Sequence, residues 1–213
     1  MKAIIFDLDG TLIDSAQSIL VSLQRAFKCC GLVPALPLES SLIGPPLRKT
    51  LQQLSPYSDS VQIERLAQYF IDSYDEKGCL EVRPFPGIDE MLKDLRRQGL
   101  ALHIVTNKRA YPTKRILREL GWGELFGNVY AADTFADESY NKSDLLGRLI
   151  KALNLKAKDC AYIGDREDDA NAAYENGIQF FWVNWGCNSL EDMPEKSDRY
   201  LCAPSEIISK LHL

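Results

Sequence analysis

The chain has 213 residues, enough for one large domain or for a core domain with a smaller insertion. Hydrophobic residues make up 46% and charged residues 26% of the chain, values typical of globular proteins, which excludes a mainly disordered chain. The net charge of −5 excludes the strongly basic surface that is typical of proteins that bind nucleic acid polymers or anionic membranes.

The first predicted strand is the apolar run Ala3–Phe6, which is followed at once by two carboxylates, Asp7 and Asp9. Residues at positions i and i+2 of a strand point to the same side, so these two charges repel each other. We therefore expect a positive charge close to them in the folded protein.

The segment from Ser15 to Arg83 has helical patterns and no convincing strand. Its apolar residues recur at helical spacing in two groups: Ile19, Leu23, Ala26 and Phe27, and then Val61, Leu66, Phe70 and Tyr74. We predict an α-helical cap insertion over residues 15–83 and an α/β catalytic core over residues 1–14 and 84–213. An insertion at this point would lie over the carboxyl ends of the strands, where open α/β sheets bind ligands.

From Pro86 onward, short apolar runs alternate with helical patterns. The runs predict strands at 102–105, 129–132, 160–163 and 179–183. Helical patterns lie between them, and Ser143 is the predicted N-cap of the helix that contains Leu145 and Leu149. This alternation predicts an α/β fold with a Rossmann-like doubly wound parallel sheet and helices on both faces.

Polar side chains follow the predicted strands and should meet at one edge of the sheet. Besides the first pair of aspartates they are Thr106, Asp165, Asp168, Asp169 and Lys142, the last of which precedes a helix. Clustered carboxylates need a cation, and oxygen ligands without a nearby histidine or thiolate favour Mg²⁺. Lys142 and the Thr106 hydroxyl would then hold the oxygens of a phosphoryl group, which indicates phosphoryl transfer.

Four stretches of the sequence resemble, in order and in spacing, the motifs of the haloacid dehalogenase superfamily of phosphohydrolases. They are FDLDGTLIDS, IVTN, NKS and IGDREDDANAAYENGI. The resemblance covers essentially the whole chain. The helical insertion directly after the first motif resembles the phosphoglycolate phosphatase-like group, which has a small helical cap.

This resemblance implies roles for individual residues. Asp7 would be the nucleophile that forms an aspartyl-phosphate, and Asp9 the general acid and then the general base. Thr106 and Lys142 would act in catalysis and bind the phosphoryl group. The implied Mg²⁺ site consists of the Asp7 carboxylate, the Asp9 backbone carbonyl and Asp165, with Asp169 in the outer shell or holding Lys142. Asp168 is the alternative to Asp169 for this last role.

The remaining implied contacts are with the rest of the substrate. The stretch IGPPLRKTL resembles a cap loop that reaches the substrate, which makes Arg48 a candidate contact, and Asn107 is a second one. We interpret Lys108 and Arg109 as surface charges, although a place for Lys108 beside the phosphate stays open.

The expected function is a Mg²⁺-dependent phosphatase that hydrolyses a small phosphomonoester. The alternatives are a phosphomutase of the helical-cap type, a catalytically silent binding protein on the same fold, or a receiver domain phosphorylated on aspartate. The helical insertion and the second aspartate disfavour the receiver domain. The sequence leaves the identity of the substrate and the oligomeric state open.

The N-terminal residues lack the pattern of a secretory signal peptide, and no apolar run is long enough to span a bilayer. Six cysteines without a CxxC pair predict reduced thiols rather than disulfides in such a chain. We therefore expect a cytoplasmic protein with a small phosphorylated substrate and no membrane partner.

Overall fold

The computed structural model describes residues 1–56, 59–135, 141–186 and 199–211 of the chain. The strands are β1 (Ala3–Phe6), β2 (Ile13–Asp14), β3 (Arg83–Pro84), β4 (Ala101–Val105), β5 (Asn128–Tyr130), β6 (Cys160–Gly164), β7 (Gln179–Val183) and β8 (Tyr200–Leu201). The α-helices are α1 (Ala16–Cys30), α2 (Leu47–Leu54), α3 (Ser60–Glu76), α4 (Ile88–Arg97), α5 (Ala110–Glu119), α6 (Lys142–Ala152), α7 (Glu167–Glu175) and α8 (Ile207–Lys210).

The central sheet has six parallel strands in the order β5-β4-β1-β6-β7-β8. Alternate residues of β1 point to opposite faces: Ile4 and Phe6 belong to one apolar layer, and Ala3 and Ile5 to the other. The first layer includes apolar residues of α4, α5 and α8, and the second includes those of α6 and α7. Helices on both faces explain why the strands are continuous apolar runs, and they confirm the predicted doubly wound α/β fold.

The sequence prediction differs from the structure in a few places. The strand predicted at 129–132 is Asn128–Tyr130, and the prediction omitted β2, β3 and β8. These omitted strands have two residues each, too few to show a periodic pattern. The predicted N-cap at Ser143 is wrong, because α6 begins at Lys142 and the side chain of Asn141 accepts a hydrogen bond from the Asp144 amide.

Helices α1, α2 and α3 lie between β2 and β3, which pair with each other in an antiparallel two-stranded ribbon. Ile13 pairs with Pro84 and Asp14 with Arg83, so the chain leaves and re-enters the α/β part at adjacent positions. Helix α1 packs on α3 through buried residues that include Phe27. Within the described part of residues 15–82, the structure contains helices and no strand.

No helix in the described part of the chain is both long and apolar enough to cross a membrane. Cys29, Cys30, Cys79, Cys160 and Cys202 are free thiols, and Cys187 lies outside the described residues.

Candidate active site

The candidate site lies at the carboxyl ends of the adjacent strands β4, β1 and β6. Phe6, the last residue of β1, pairs with Ile104 on one side and with Ile163 on the other. The backbone N–H of Asp7 donates to the Ile163 carbonyl at 2.9 Å. Connections from β1 run toward one edge of the sheet and those from β6 toward the other, so this is the position at which doubly wound sheets bind ligands.

The chain turns tightly after Asp7. Gly10 has a φ angle of 81°, and a Cβ atom at this residue would lie only 2.3 Å from Asp165 Oδ2. Only glycine fits this position, both for its backbone angle and for the space available. The turn also lets the Thr11 hydroxyl donate to Asp165 Oδ1 at 3.2 Å. The first loop and the end of β6 are thereby packed directly against each other.

Three buried carboxylates meet in this space. Oxygen atoms of Asp7, Asp165 and Asp169 all lie within 4.8 Å of one another, and each residue is at most 2% exposed. Asp7 Oδ1 is buried and has no hydrogen-bond partner among the described residues. Burial raises the pKa of Asp7, with further contributions from Asp9 and Asp168 that are opposed by Lys142.

Lys142 supplies a buried positive charge to this cluster. Its Nζ atom lies 2.6 Å from Asp169 Oδ1, 3.2 Å from Asp168 Oδ2 and 3.4 Å from Asp7 Oδ2. Burial by itself would lower the pKa of Lys142, but Asp169, Asp7 and Asp168 outweigh it and raise that pKa. The ammonium group therefore stays charged and compensates part of the repulsion among the aspartates.

The two adjacent aspartates of the fourth motif have different surroundings. Asp169 is fully buried and accepts hydrogen bonds from Lys142, from the Tyr162 hydroxyl at 3.1 Å and from the Arg166 backbone N–H at 3.1 Å. The Asp168 side chain is 41% exposed and accepts from the Asn107 amide at 2.8 Å. Asp169 is therefore the one that belongs to the buried carboxylate cluster.

This donor set fits Mg²⁺. Mg²⁺ prefers a few carboxylate oxygens at about 2.0–2.1 Å together with water and phosphate oxygens. The cluster offers oxygen donors only, and the unpartnered Asp7 Oδ1 is a buried acceptor that needs a cation or a donor.

Asp9 faces a different set of partners. The Ser15 hydroxyl donates to Asp9 Oδ1, and Lys108 Nζ lies 2.9 Å from Asp9 Oδ2. Lys108 also donates to the Tyr74 hydroxyl at 2.8 Å and lies over the Tyr74 ring, 4.5 Å from its centroid. The Lys108 side chain is only 6% exposed, so the interpretation of Lys108 as a surface charge is wrong.

Arg109 is also paired rather than free at the surface. It forms a two-pronged ion pair with Asp75 of α3, including 3.0 Å between Nη1 and Oδ2, and its side chain is 23% exposed. No pattern in the sequence indicates this pair, because Asp75 is 34 residues away along the chain.

The other predicted contacts are spread around the site. Thr106 is buried directly after β4, and its hydroxyl accepts from the Lys108 backbone N–H at 3.2 Å. The Asn107 amide donates to the Gly44 carbonyl at 2.9 Å and to Asp168. Arg48 lies on α2, where its exposed guanidinium forms a two-pronged ion pair with Glu64, including 2.7 Å between Nη2 and Oε2.

A cavity of about 460 Å³ lies between α1–α3 and the ends of the strands. Asp9, Asn107 and Lys108 line it from the α/β side, and Arg48 and Tyr74 line it from the helical segment. Asp9, two residues after Asp7 of the carboxylate cluster, therefore faces a space large enough for a small ligand.

Comparison with known proteins places these residues in a family context. The tyrosine-protein kinase PtkA of Mycobacterium tuberculosis is 34% identical over 186 residues, which are 87% of this chain and 62% of the kinase. The chain thus spans less than two thirds of the length of that relative. A phosphoglycolate phosphatase of Xanthomonas campestris is 30% identical over 198 residues, covering 91% of this chain and 87% of the phosphatase.

Solved structures of related proteins have the same fold. The crystal structure of a predicted phosphatase from Clostridium acetobutylicum superposes with a TM-score of 0.88 at 28% identity, over 100% of this chain and 99% of that one. The sequence profile of the haloacid dehalogenase-like hydrolases matches residues 4–183. This range includes all three aspartates of the carboxylate cluster, Asp7, Asp165 and Asp169. The chain belongs to the haloacid dehalogenase-like hydrolase family.

Proposed function

We propose that this protein is a Mg²⁺-dependent phosphatase that hydrolyses a small phosphomonoester through an aspartyl-phosphate on Asp7. The observation that carries the proposal is the buried cluster of Asp7, Asp165 and Asp169 beside the charged Lys142, with Asp7 Oδ1 left without a partner. Such a cluster suits a cation and a phosphoryl group better than it suits a purely structural role. The similarity to a protein named phosphoglycolate phosphatase supports the same reaction class.

In this proposal, the Asp7 carboxylate, the Asp9 backbone carbonyl and Asp165 hold the Mg²⁺. Asp169 already accepts hydrogen bonds from Lys142, Tyr162 and the Arg166 backbone, so it acts in the outer shell and positions Lys142. When bound, Mg²⁺ supplies positive charge that stabilises the phosphoryl oxygens during transfer.

The first chemical step transfers the phosphoryl group to the enzyme. An oxygen of Asp7 forms a bond to phosphorus while the bond from phosphorus to the ester oxygen breaks. Lys142 and the Thr106 hydroxyl hold the other phosphoryl oxygens. Asp9 takes up a proton from solvent or from the singly protonated phosphate ester as the substrate binds, and gives this proton to the departing oxygen. The alcohol then leaves through the cavity that Asp9 lines.

The second step releases phosphate. Asp9, now ionised, takes a proton from a water molecule, whose oxygen attacks phosphorus as the bond to Asp7 breaks. The products are inorganic phosphate and a free Asp7 carboxylate. Lys108, whose Nζ atom lies 2.9 Å from Asp9 Oδ2, provides a positive charge beside Asp9 between the two steps.

We further propose that residues 15–83 form a cap domain over a core of residues 1–14 and 84–213. The ribbon of β2 and β3 would be its two-stranded hinge. Polar contacts join the two parts around the cavity: Lys108 with Tyr74, Arg109 with Asp75, Asn107 with the Gly44 carbonyl, and Arg166 with the Ile43 carbonyl. In this arrangement Asn107 and Arg48 lie beside the leaving group.

The test is hydrolysis of phenyl phosphate by the purified chain with Mg²⁺, with chelator, and with Mg²⁺ restored after chelation. We expect release of phosphate only when Mg²⁺ is present. Asp7→Asn should eliminate turnover without unfolding the protein, because the amide keeps the shape but is not a nucleophile. Asp94→Asn is the matched control, since Asp94 makes an exposed ion pair with Arg97 on α4, away from the site. Full activity of Asp7→Asn, or of the wild type in chelator, contradicts the proposal.

The kinase relative gives a second candidate, phosphoryl transfer to a protein tyrosine. If the protein has this activity, phosphate from labelled ATP would appear on a protein tyrosine, whereas a phosphatase releases it as inorganic phosphate.

A phosphomutase would instead return the phosphate to another position of a sugar phosphate. The presence of both Asp7 and Asp9 disfavours a silent binding protein, since each has a step to perform.

A further inference from the structure

We infer that the leaving group of the substrate is uncharged and largely apolar, is at least as large as an aromatic ring, and carries no second anionic group. This inference rests on the proposed phosphatase function and concerns the cavity beside Asp9. The departing oxygen must receive its proton from Asp9, so the group attached to that oxygen extends into the cavity that Asp9 lines.

The wall of this cavity is mainly apolar. Side chains from three parts of the helical segment and from α5 contribute to it: Ile19, Leu23, Leu42, Phe70, Ile71 and Pro112. Its volume of about 460 Å³ falls within the range of about 300–1,000 Å³ that is typical of pockets for drug-sized ligands. A two-carbon acid such as glycolate would leave much of this apolar surface without contact.

The positively charged side chains that line the cavity already have carboxylate partners. Arg48 pairs with Glu64, Lys108 with Asp9 and Arg109 with Asp75. A carboxylate on the substrate would have to break one of these pairs or stay without a counter-charge in an apolar space. Breaking the pair of Lys108 or of Arg109 is unfavourable because these pairs are largely buried, and an unpaired carboxylate in an apolar space is unfavourable as well. The exposed pair of Arg48 with Glu64 is the weakest of the three.

Two uncharged polar side chains of the wall are also hydrogen-bonded. Both N–H groups of the Asn107 amide have acceptors, and the Thr50 hydroxyl donates to the Leu42 carbonyl at 3.4 Å. Asp133, another lining residue, accepts from the Ala110 backbone N–H at 2.6 Å and adds negative charge. The side-chain surface that stays available to a leaving group is therefore mainly apolar, and Arg48 can contribute to it through its methylene stem.

The test compares three aryl phosphates in Mg²⁺: phenyl phosphate, 4-carboxyphenyl phosphate and the methyl ester of the latter. Phenyl phosphate is the electronic match, because an ionised para-carboxylate changes the acidity of the departing phenol only slightly, and the ester adds similar bulk without a charge. We expect kcat/KM for phenyl phosphate and for the ester to exceed that for the carboxylate by at least about tenfold. Equal values, or a preference for the carboxylate, would overturn the inference while leaving the phosphatase proposal intact.

A charge placed in the cavity should reverse this preference. Ile71 is a half-buried lining residue, so Ile71→Lys adds a cation without emptying the core, and Ile71→Met is the neutral control. The lysine variant should raise kcat/KM for the carboxylate relative to the ester by about tenfold, and the methionine variant should leave that ratio unchanged. An equal change of this kcat/KM ratio in the lysine and methionine variants would overturn the inference.

A binding measurement separates this inference from the catalytic proposal. Phenylphosphonate and 4-carboxyphenylphosphonate cannot be hydrolysed in the same way, and calorimetry in Mg²⁺ gives their Kd values without turnover. If no aryl phosphate is hydrolysed, the phosphatase proposal fails, whereas tighter binding of phenylphosphonate still supports the inference. Equal or weaker binding of phenylphosphonate, or no binding of either compound, overturns it.

Discussion

Lys108 and Asp9 form a buried ion pair, with 2.9 Å between Nζ and Oδ2, and Lys108 also donates to Tyr74 of α3. The proposed acid–base residue is therefore connected through one side chain to the helical segment above it. Burial by itself would lower the pKa of Lys108, but Asp9 and Tyr74 outweigh that effect and raise it, so the ammonium group is charged.

We predict that Lys108→Gln lowers the free energy of unfolding by about 3–5 kcal/mol, because it leaves the buried Asp9 without its counter-charge. Urea denaturation of both proteins measures the change. Tyr74→Phe should cost about 1 kcal/mol, since it removes one hydrogen bond and keeps the ring. The double variant Lys108→Gln with Asp9→Asn should recover much of the loss, because no unpaired charge remains. A loss below about 1 kcal/mol for Lys108→Gln contradicts a buried ionised pair.

The two neighbouring aspartates of the fourth motif should respond differently to the same substitution. Asp169→Asn weakens the hydrogen-bond network of Lys142, so we expect kcat to fall by about 10–100-fold. Asp168→Asn alters a side chain that is 41% exposed and should change stability by less than about 1 kcal/mol. Steady-state kinetics and urea denaturation of both variants test this. Equal effects would mean that Asp168 shares the role proposed for Asp169.

The stabilisation of the protein by Mg²⁺ should increase with pH. Burial raises the pKa of Asp7 above its unfolded value of about 3.9, so the metal-free protein loses stability as the pH rises and Asp7 ionises. Mg²⁺ binds the ionised carboxylate and offsets this loss. At a free concentration of about 100 Kd, Mg²⁺ adds about 2.7 kcal/mol, which corresponds to a Tm increase of about 5–10 °C for a protein of this size.

Thermal unfolding with and without a fixed concentration of Mg²⁺, at about pH 5 and about pH 7.5, measures this effect. The increase in Tm should be larger at the higher pH. In Asp7→Asn the difference between the two pH values should shrink, because position 7 no longer titrates. An equal or larger increase at the lower pH in the wild type would show that the metal does not bind the ionised Asp7.

Glu64 is expected to keep the Arg48 guanidinium from pairing with an anionic group of the substrate. Glu64→Gln removes the charge that holds the Arg48 guanidinium. It should therefore raise kcat/KM for 4-carboxyphenyl phosphate relative to its methyl ester. The expected increase is up to about fivefold, because exposed ion pairs contribute about 0.2–1 kcal/mol. The double variant Arg48→Ala with Glu64→Gln is the control and should lose this gain. A gain that persists in the double variant would come from removing negative charge alone, and Arg48 would then have no part in it.

The sequence by itself determined the architecture and most of the carboxylate cluster. Strands such as β1 and β6 are buried on both faces, so they are continuous apolar runs that can be recognised without a structure. Polar residues that directly follow parallel strands meet at one sheet edge, which is why Asp7 and Asp165 could be placed together. The paired two-residue strands β2 and β3 could not be predicted, because their pairing joins positions that lie 70 residues or so apart along the chain.

Only the tertiary structure decided the surroundings of individual charges. The pattern of the sequence cannot distinguish Asp168 from Asp169, since adjacent residues differ in burial only once α7 is packed against the sheet. Lys108 resembles a surface lysine until α3 places Tyr74 against it, and Arg48 resembles a free cation until Glu64 on α3 pairs with it. The pKa of a charged side chain depends on the groups that surround it. Here those groups come from distant parts of the chain, so they depend on how the helical segment packs over the sheet and not on local spacing.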